Sequence, residues 1–477
     1  MAYIKELMTR FLNEHKDNFA FSVKDGKENK DVTYREFTED ILRVAGWFRH
    51  NGIRGKHIAM IAANSYDWFV MLFAIDASGN TAVAMNPALP VDLLQWQCEK
   101  AEVDCVWAEV PFRAELQEKL PQARFFAAAD VRGEAPITMD DVYEAAEDET
   151  VLLMFTSGTT GKSKVVEITS GNLGYSIENL KDIFDAGHTE ISMLTIPMYH
   201  IAGVRCNVGM LRYCKTLCVG RGLMYLMADI PAFNPTHIMM VPAMVESIIK
   251  FVKRAPSRES VAKVIGNRLR RITVVGAVLR VDTARFLLNM GFMLDNVYGM
   301  TETTADGTWC LLDSEHIASI GKPCGITQCR IVDGEILLKS PANMKGYNHD
   351  PDETDKVLKD GWIHTGDMGS CDENGYIYIT GRKKNIIILS NGENVCPEEI
   401  EEKLSGCEDV LECMVYSEPK GICADIYTEN EAVVSEYVKQ YNESMPRYRQ
   451  IYKVNIQSEP LEKTGSGKIK RKENVYV

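Results

Sequence analysis

The sequence lacks the features that mark membrane, secreted and nucleic-acid-binding proteins. No window of its 477 residues has the unbroken apolar length needed to span a bilayer. The N-terminal stretch MAYIKELMTRFLNEHKDNFAF carries acidic side chains and no long apolar run, so we expect no secretory signal and a cytoplasmic protein. The net charge is −14 and no run of Lys and Arg forms a continuous basic face, which argues against nucleic acid as a partner.

The cysteines show no CxxC pair, although the chain has thirteen of them. Cys206, Cys214 and Cys218 follow His200, and a zinc site built from these four residues stays open as an interpretation. Their spacings match no common zinc pattern. We therefore favour reduced, mostly buried thiols that act as small apolar side chains.

Alternating apolar patterns predict an α/β fold for the first three hundred residues. HIAMIA from His57 and TAVAMN from Thr81 are typical of buried strands, and a helical pattern covers residues 68–76 between them. Strand, helix and strand at this spacing indicate a parallel sheet with helices on its faces. VLLMFT from Val151 and ITVVGA from Ile272 continue the pattern.

The pattern changes in the last third of the chain. CRIVDGEILLKS predicts a hairpin with Asp333–Gly334 at its turn, within an antiparallel, β-barrel-like subdomain. A helix is predicted to begin at Pro397, followed by an α+β stretch. We predict a large N-terminal domain of parallel-sheet layers plus the barrel-like subdomain over residues 1–383, and a small α+β domain over residues 384–477.

A loop rich in glycine and hydroxyl side chains, TSGTTGKSK, directly follows the strand VLLMF. Glycines let the backbone turn tightly and present N–H groups to an anion. It is not a Walker A loop, because only two residues separate Gly158 from Gly161 where that motif has four. A polar turn without a ligand is the alternative. The candidate phosphate-binding residues are Thr156, Ser157, Gly158, Thr159, Thr160, Gly161, Lys162 and Lys164.

Seven further motifs follow this loop in order: IPMYHIAG, VVGAVL, NVYGMTE, GWIHTGDMG, GRKKN, NGENVCPEEIE and KTGSGKIKRK. Together they resemble the adenylate-forming superfamily, which includes acyl-CoA synthetases, firefly luciferase and the adenylation domains of peptide synthetases. The resemblance covers roughly Tyr34 to Lys472. This sequence departs from the family at Ser163, where a Pro is usual, and at Val165 and Val275, where a Gly is usual.

The resemblance implies roles for single residues of these motifs. Lys468 would bridge the acid's carboxylate and the α-phosphate of ATP, Glu302 would hold Mg²⁺, and His200 would place the carboxylate. Lys384 would be the hinge of a mobile C-terminal domain, and Gly392 would approach the thiol tunnel. The nucleotide-binding residues that the resemblance adds are Gly276, Ala277, Asn296, Tyr298, Gly299, Thr301, Asp367 and Arg382.

By resemblance, this chain activates a carboxylic acid, fatty or aryl, as its acyl-AMP and transfers the acyl group to coenzyme A. ATP, Mg²⁺ and coenzyme A would be its cofactors. The motifs are most similar to bacterial acyl-CoA synthetases, and the chain length is nearer to the succinylbenzoate-CoA ligases. Two alternatives stay open: an adenylation enzyme that loads a carrier protein, and a non-catalytic acyl- or nucleotide-binding relative, which Val165 and Val275 would suit.

The stretch HIAGVRCNVG bears on the acid. Amino-acid-activating domains place an Asp here to hold the α-ammonium, and this stretch has no acidic residue, so an amino acid is disfavoured. Arg205 is its one charge. This side chain either pairs with a second carboxylate of the substrate or serves the structure, and buried charges are more often structural.

Overall fold

The protein is described by a computed structural model that covers residues 3–26, 28–131, 133, 135–156, 163–185, 190–252, 258–277, 279–389, 394–463, 469–472 and 474. The chain divides into two compact units. Unit 1 comprises Met1–Thr156, Lys164–Cys329 and Leu338–Ile363. Unit 2 holds residues 330–337 and the described residues from His364 onward.

Helices in the described residues are mostly short, and none of them combines the length and apolar character needed to cross a bilayer. They are α1 Tyr3–Glu14, α2 Tyr34–His50, α3 Tyr66–Ala77, α4 Val91–Lys100, α5 Arg113–Lys119, α6 Ala128–Val131, α7 Ser170–Glu178, α8 Lys181–Asp185, α9 Ile201–Arg212, α10 Leu226–Phe233, α11 Pro242–Val252, α12 Arg258–Ile265, α13 Val281–Asn289, α14 Pro351–Val357, α15 Pro397–Leu404 and α16 Glu431–Ser444.

Strands occur throughout both units. They are β1 Phe19–Asp25, β2 Glu28–Thr33, β3 His57–Ile61, β4 Thr81–Met85, β5 Cys105–Ala108, β6 Arg124–Phe126, β7 Thr150–Phe155, β8 Val165–Thr169, β9 Ile191–Met193, β10 Thr216–Val219, β11 His237–Met240, β12 Arg271–Val275, β13 Met293–Gly299, β14 Gly307–Leu311, β15 Lys322–Pro323, β16 Gln328–Val332, β17 Glu335–Lys339, β18 Gly346–Tyr347, β19 Leu358–Lys359, β20 Trp362–Cys371, β21 Ile377–Arg382, β22 Ile387–Ile388, β23 Asn394–Val395, β24 Glu412–Glu418, β25 Gly421–Tyr427 and β26 Ile451–Gln457.

Unit 1 contains two mixed sheets. The first has the order β18-β8-β7-β4-β3-β5-β6, and its strands from β7 to β6 run parallel. The predicted strands at His57 and Thr81 pair in it as β3 and β4, with helix α3 between them in sequence. Strands β3 and β4 are buried on both faces, which explains why they read as continuous apolar runs.

The second sheet of unit 1 has the order β15-β14-β13-β12-β11-β9-β10-β1-β2. Strands β13, β12, β11, β9, β10 and β1 run parallel, so their carboxyl ends lie at one edge. Parallel sheets place ligands at this edge, outside the ends of the strands. The motifs VVGAVL and NVYGMTE sit where β12 and β13 end.

Unit 2 is built from antiparallel strands and an α+β part. β16 and β17 form the predicted hairpin, and Asp333 and Gly334 at its turn have φ of 50° and 78°. β24, β25 and β26 form a three-stranded sheet beside α15 and α16, and α15 begins at Pro397 as predicted. The predicted domain boundary at Lys384 falls inside unit 2 and stays a prediction.

Candidate active site

The predicted phosphate loop joins the antiparallel strands β7 and β8 in unit 1. The backbone N–H of Thr156 donates to the Lys164 carbonyl at 2.9 Å, and the Lys164 N–H donates to Thr156 Oγ1 at 3.2 Å. Val165, where the family has a Gly, is buried in an apolar cluster with Val83 and Leu153. The side chain that departs from the family here is therefore part of an apolar core. Ser157, Gly158, Thr159, Thr160, Gly161 and Lys162 lie outside the described residues.

Lys164 is held by two side chains that the sequence analysis did not select. Its Nζ lies 2.6 Å from Glu353 Oε2 and 4.6 Å from the centre of the Tyr347 ring. Hydrogen bonds from Lys164 and Lys356 lower the pKa of Glu353 to about 2, so this carboxylate is charged at neutral pH. The ammonium group is thereby fixed beside the end of the loop.

Glu302 lies in a single 3-10 turn, Thr301–Thr303, directly after β13. Its side chain is buried, and its Oε1 accepts a hydrogen bond from the Tyr347 hydroxyl at 2.7 Å. No cationic side chain among the described residues forms an ion pair with this carboxylate. A buried carboxylate without a protein cation suits Mg²⁺, which takes one or two carboxylates together with substrate phosphates. Glu302 therefore fits its predicted role as the metal ligand.

The turn after Glu302 adopts an unfavourable backbone conformation. Thr304 and Ala305 have φ of 52° and 56°, in the left-handed region that costs energy for residues other than glycine. Arg205 Nη1 donates to the Ala305 carbonyl at 3.0 Å, and Arg205 Nη2 lies 2.8 Å from Asp306 Oδ1. The guanidinium is fully buried in this structural role, so the interpretation of Arg205 as a partner for a second substrate carboxylate is wrong.

The predicted adenine and α-phosphate residues lie together where β12 and β13 end. Val275 pairs with Val297, which brings Gly276 level with Tyr298 and places both at the edge of the sheet. Gly276 has φ of 81°, a conformation that a residue with a Cβ rarely adopts. A Cβ on Gly299 would lie 2.4 Å from the Ala305 carbonyl oxygen, so only glycine fits there.

Asn296, the predicted adenine reader, is buried, and its Nδ2 donates to the Ser319 carbonyl at 2.9 Å. This bond fixes which way the amide points. Ala277 is exposed next to Gly276, and Thr301 is half-buried beside Glu302. The structure thus gathers the residues predicted from the two motifs at one edge of one sheet.

His200 precedes α9 at its N-cap position in unit 1. Its ring is half-buried and lies 4.7 Å from the ring of Tyr199, centre to centre. The residues that follow it pack on an apolar cluster that includes Cys206, Met239 and Val275. Cys206 is thus a single buried thiol, and the described residues contain no group of three His, Cys, Asp or Glu side chains that could bind a metal.

In unit 2 the two predicted ribose-binding residues form an ion pair. Asp367 on β20 pairs with Arg382 on β21, and Arg382 Nε lies 2.6 Å from Asp367 Oδ1. Asp367 is buried, and Arg382 also donates to the Thr365 carbonyl at 3.3 Å. The structure therefore places these two predicted ribose-binding residues side by side in unit 2.

The remaining predicted residues belong to unit 2 as well. Lys384 is exposed in a 3-10 turn, Lys383–Asn385, directly after β21. Gly392 and Lys468 lie outside the described residues. Near Lys468 in sequence, Arg471 Nη2 lies 2.6 Å from Glu401 Oε2. The basic segment is therefore anchored on α15 at this point.

A protein-family model described as AMP-binding enzyme matches residues 8–348. The chain belongs to the AMP-binding enzyme family. A feruloyl-CoA synthase from an Amycolatopsis species is 30% identical over 81% of both chains. A 2-succinylbenzoate–CoA ligase of Bacillus cereus is 27% identical over 94% of this chain and 93% of its own length.

Solved structures agree with the fold of this AMP-binding enzyme. The o-succinylbenzoate CoA synthetase of Bacillus subtilis, in complex with its acyl-adenylate intermediate, superposes with a TM-score of 0.85 at 24% identity, covering 99% of this chain and 97% of that chain. The same synthetase in complex with ATP and magnesium ion gives a TM-score of 0.83, again at 24% identity, with 98% of each chain covered.

These comparisons confirm the predicted fold class, the superfamily and the enzyme class, an AMP-forming acid–thiol ligase. ATP, Mg²⁺ and coenzyme A are confirmed as the cofactors of this class. A fatty acid is not indicated, because the two relatives named above are ligases of aromatic acids.

Tyr347 and Glu353 are the residues of this site that the sequence analysis missed. Both occur in GYNHDPDET, a segment with an N-cap residue, Asp350, and a proline at the first helical position. The N-cap residue and the proline predict where α14 begins, and they do not indicate a role in the site. Only the pairing of β18 with β8 reveals that Tyr347 lies beside the strand that follows Lys164.

Proposed function

We propose that this AMP-binding enzyme activates an aromatic carboxylic acid as its acyl-AMP and transfers the acyl group to coenzyme A. One observation carries the proposal: Glu302 and Lys164 both contact Tyr347, through its hydroxyl at 2.7 Å and its ring at 4.6 Å. A buried carboxylate after β13 and a fixed ammonium before β8, joined through one tyrosine, suit a metal-bound polyphosphate. No part of this arrangement is needed for a fold that only binds apolar ligands.

In the first step, a carboxylate oxygen of the acid forms a bond to the α-phosphorus as the bond between that phosphorus and the bridging oxygen breaks. Pyrophosphate leaves with the bridging oxygen, and the acid carries AMP. Both reactants are anions, so the protein supplies positive charge and alignment. Lys164 and the loop from Thr156 bind the polyphosphate, Thr301 binds the α-phosphate, and Lys468 bridges the carboxylate and the α-phosphate.

Mg²⁺ bound at Glu302 would add positive charge at the phosphate oxygens. The nucleoside is held by other groups: Asn296 and Tyr298 at the adenine, Asp367 and Arg382 at the ribose. His200 places the carboxylate of the acid.

In the second step, the thiol sulfur attacks the acyl carbonyl carbon and the AMP phosphate leaves with its oxygen. The thiol proton passes to solvent as the thioester forms and AMP is released. Gly392 is proposed to lie at the approach of the thiol. Rotation of the C-terminal domain about Lys384 and a cytoplasmic location stay predictions.

The aromatic class of acid is supported by two observations. The residues after His200 pack on an apolar cluster of Leu, Ile, Phe, Cys, Met and Val side chains. Arg205, the one charge in that stretch, already donates its hydrogen bonds to Asp306 and to backbone carbonyls. A stretch of chain that offers no available charge suits the apolar body of a flat or aliphatic acid. The names of the two relatives favour a flat, aromatic acid over an aliphatic one.

Pyrophosphate release tests the proposal with acids of equal carbon number. Ferulic acid and decanoic acid both have ten carbons, and 2-succinylbenzoate adds an aromatic dicarboxylate. Each is assayed with ATP and Mg²⁺, with and without coenzyme A. We expect release with at least one aromatic acid, an increase with coenzyme A, and a coenzyme A thioester as product.

Three results would contradict the proposal. A higher kcat/KM for decanoic acid would replace the aromatic class with fatty acids. Pyrophosphate release that does not change when coenzyme A is added would indicate a carrier protein as the acceptor. No pyrophosphate release with any of the acids would indicate a non-catalytic relative.

A further inference from the structure

We propose that Tyr347 is a positioning residue that holds the Glu302 carboxylate and the Lys164 ammonium in one arrangement around the metal-bound polyphosphate. This inference rests on the proposed function, in which Glu302 binds the metal and Lys164 binds phosphate. Tyr347 itself touches neither substrate nor metal in the proposal. It acts through the two residues that do.

The side chain of Tyr347 presents two different surfaces to two charged groups. Its hydroxyl donates to Glu302 Oε1 at 2.7 Å, and its ring face lies 4.6 Å from Lys164 Nζ. A cation over an aromatic face is attracted by the negative charge density of the ring. Glu353 holds the same ammonium from another direction at 2.6 Å. One buried aromatic residue therefore fixes a carboxylate and an ammonium relative to each other.

The backbone of Tyr347 is held by two contacts, and a third holds the nearby Met344. Tyr347 pairs with Val166 of β8, the strand that follows the phosphate loop. Its N–H donates to Thr354 Oγ1 at 2.9 Å, and the nearby Met344 N–H donates to the Glu302 carbonyl at 2.8 Å. A buried side chain on an anchored backbone keeps its place when the Glu302 carboxylate or the Lys164 ammonium moves. It therefore sets their position.

The hydroxyl is suited to this task because it donates to a carboxylate that is itself buried, at 2.7 Å from Glu302 Oε1. The donated bond fixes the carboxylate rotamer and engages Oε1, so that Oε2 is left for a cation. Hydrogen-bond partners of metal ligands typically contribute about 10- to 100-fold in metal affinity.

The test compares Tyr347→Phe with Tyr66→Phe. Tyr66 is a matched control, because its hydroxyl donates to a carboxylate oxygen, Asp40 Oδ2, at 2.8 Å, and that carboxylate has no proposed role. Mn²⁺ is the probe: its dissociation constant is measured by electron paramagnetic resonance on each full-length variant with ATP and without acid. Mg²⁺ activation curves for pyrophosphate release are a second measurement, and urea unfolding shows that each variant folds.

We expect Tyr347→Phe to weaken Mn²⁺ binding about 10-fold and to raise the Mg²⁺ concentration for half-maximal activity by a similar factor. Tyr347→Phe keeps the ring, so the KM for ATP at saturating Mg²⁺ changes little. Tyr347→Leu removes the ring as well, and we expect it to raise that KM. Tyr66→Phe should match the unmodified protein in both metal measurements.

Two outcomes would overturn the inference, and Glu302→Gln separates them. If Glu302→Gln abolishes Mn²⁺ binding while Tyr347→Phe behaves like Tyr66→Phe, Tyr347 does not position the metal ligand and the proposed function stands. If Glu302→Gln also leaves Mn²⁺ binding unchanged, Glu302 is not the metal ligand. The assignment of Glu302 within the proposed function then fails together with the inference.

Discussion

Arg205 Nη2 lies 2.8 Å from Asp306 Oδ1, and both side chains are fully buried. The same guanidinium donates from Nε to the Ser176 carbonyl at 2.9 Å and from Nη1 to the Ala305 carbonyl at 3.0 Å. Asp306 Oδ2 in turn accepts from Thr327 and Ser340. This network connects α7 and α9 to the strained turn that follows Glu302, so Arg205 supports the site without binding substrate.

Removing one partner of this pair is predicted to destabilise the fold strongly. Arg205→Met leaves the Asp306 carboxylate buried without its cation, which typically costs about 3–5 kcal/mol. Urea unfolding measures the loss. Lys5→Met is the control, because Lys5 pairs with the exposed Glu144, and such a surface pair contributes about 0–1 kcal/mol. A stable Arg205→Met variant that selectively loses activity with dicarboxylic acids would restore the substrate role of Arg205.

Asp367→Asn is predicted to raise the KM for ATP. A hydrogen bond to a charged group contributes about 1.5–3 kcal/mol, which corresponds to roughly 10- to 150-fold in affinity. We expect the unmodified protein to prefer ATP over its 2′-deoxy and 3′-deoxy analogues, and the variant to lose this preference. Asp372→Asn, in the turn between β20 and β21, is the control and should keep it. An Asp367→Asn variant that still discriminates between these nucleotides would contradict the ribose assignment.

Lys468→Ala is predicted to separate the two half-reactions. Loss of a group that stabilises developing charge typically lowers kcat by about 10²- to 10³-fold, so acyl-AMP formation should fall by this amount. Thioester formation from supplied acyl-AMP should remain, because that step does not need the carboxylate to approach phosphate. Lys470→Ala is the control, since Lys470 is exposed and pairs with Glu462. Unimpaired acyl-AMP formation in Lys468→Ala would remove Lys468 from the mechanism.

Asp76 is predicted to make the stability of unit 1 depend on pH. Burial, with a smaller contribution from Glu149, raises its pKa from 3.8 to about 7, and its Oδ2 has no hydrogen-bond partner among the described residues. The folded state thus holds this proton more tightly than the unfolded state. Its stabilising contribution is full below pH 3.8 and is lost as the pH rises to about 7.

Asp76→Asn removes that titration. The stability of this variant, compared with that of the unmodified protein, is predicted to improve as the pH rises. Relative to the unmodified protein, its free energy of unfolding should increase from pH 5 to about pH 7 and then level off. The shift over this range corresponds to about 3 kcal/mol, because about two pH units lie between pH 5 and the pKa of the folded protein. Urea unfolding of both proteins between pH 5 and pH 8.5 measures the difference. A difference that does not change with pH would show that Asp76 is charged in the folded protein.

Local patterns predicted much of the fold correctly. The Asp333–Gly334 turn and the helix that begins at Pro397 are encoded by residues whose backbone preferences act over a few positions. The parallel strands at His57 and Thr81 followed from apolar runs around a helical segment. The order of the motifs also predicted the family, because each motif needs only a short stretch of chain.

The sequence by itself determined the class of fold and the family, and it supplied the candidate site residues. Only the tertiary structure decided how those residues are held. Arg205 and Asp306 lie 101 positions apart in the chain, Tyr347 and Glu302 are separated by 45, and Lys164 and Glu353 by 189. No local pattern encodes such pairs, because the order of the strands in the sheets and the packing of helices on them bring the partners together. The sequence therefore allowed two interpretations of Arg205, and it did not predict Tyr347 as a residue of the site.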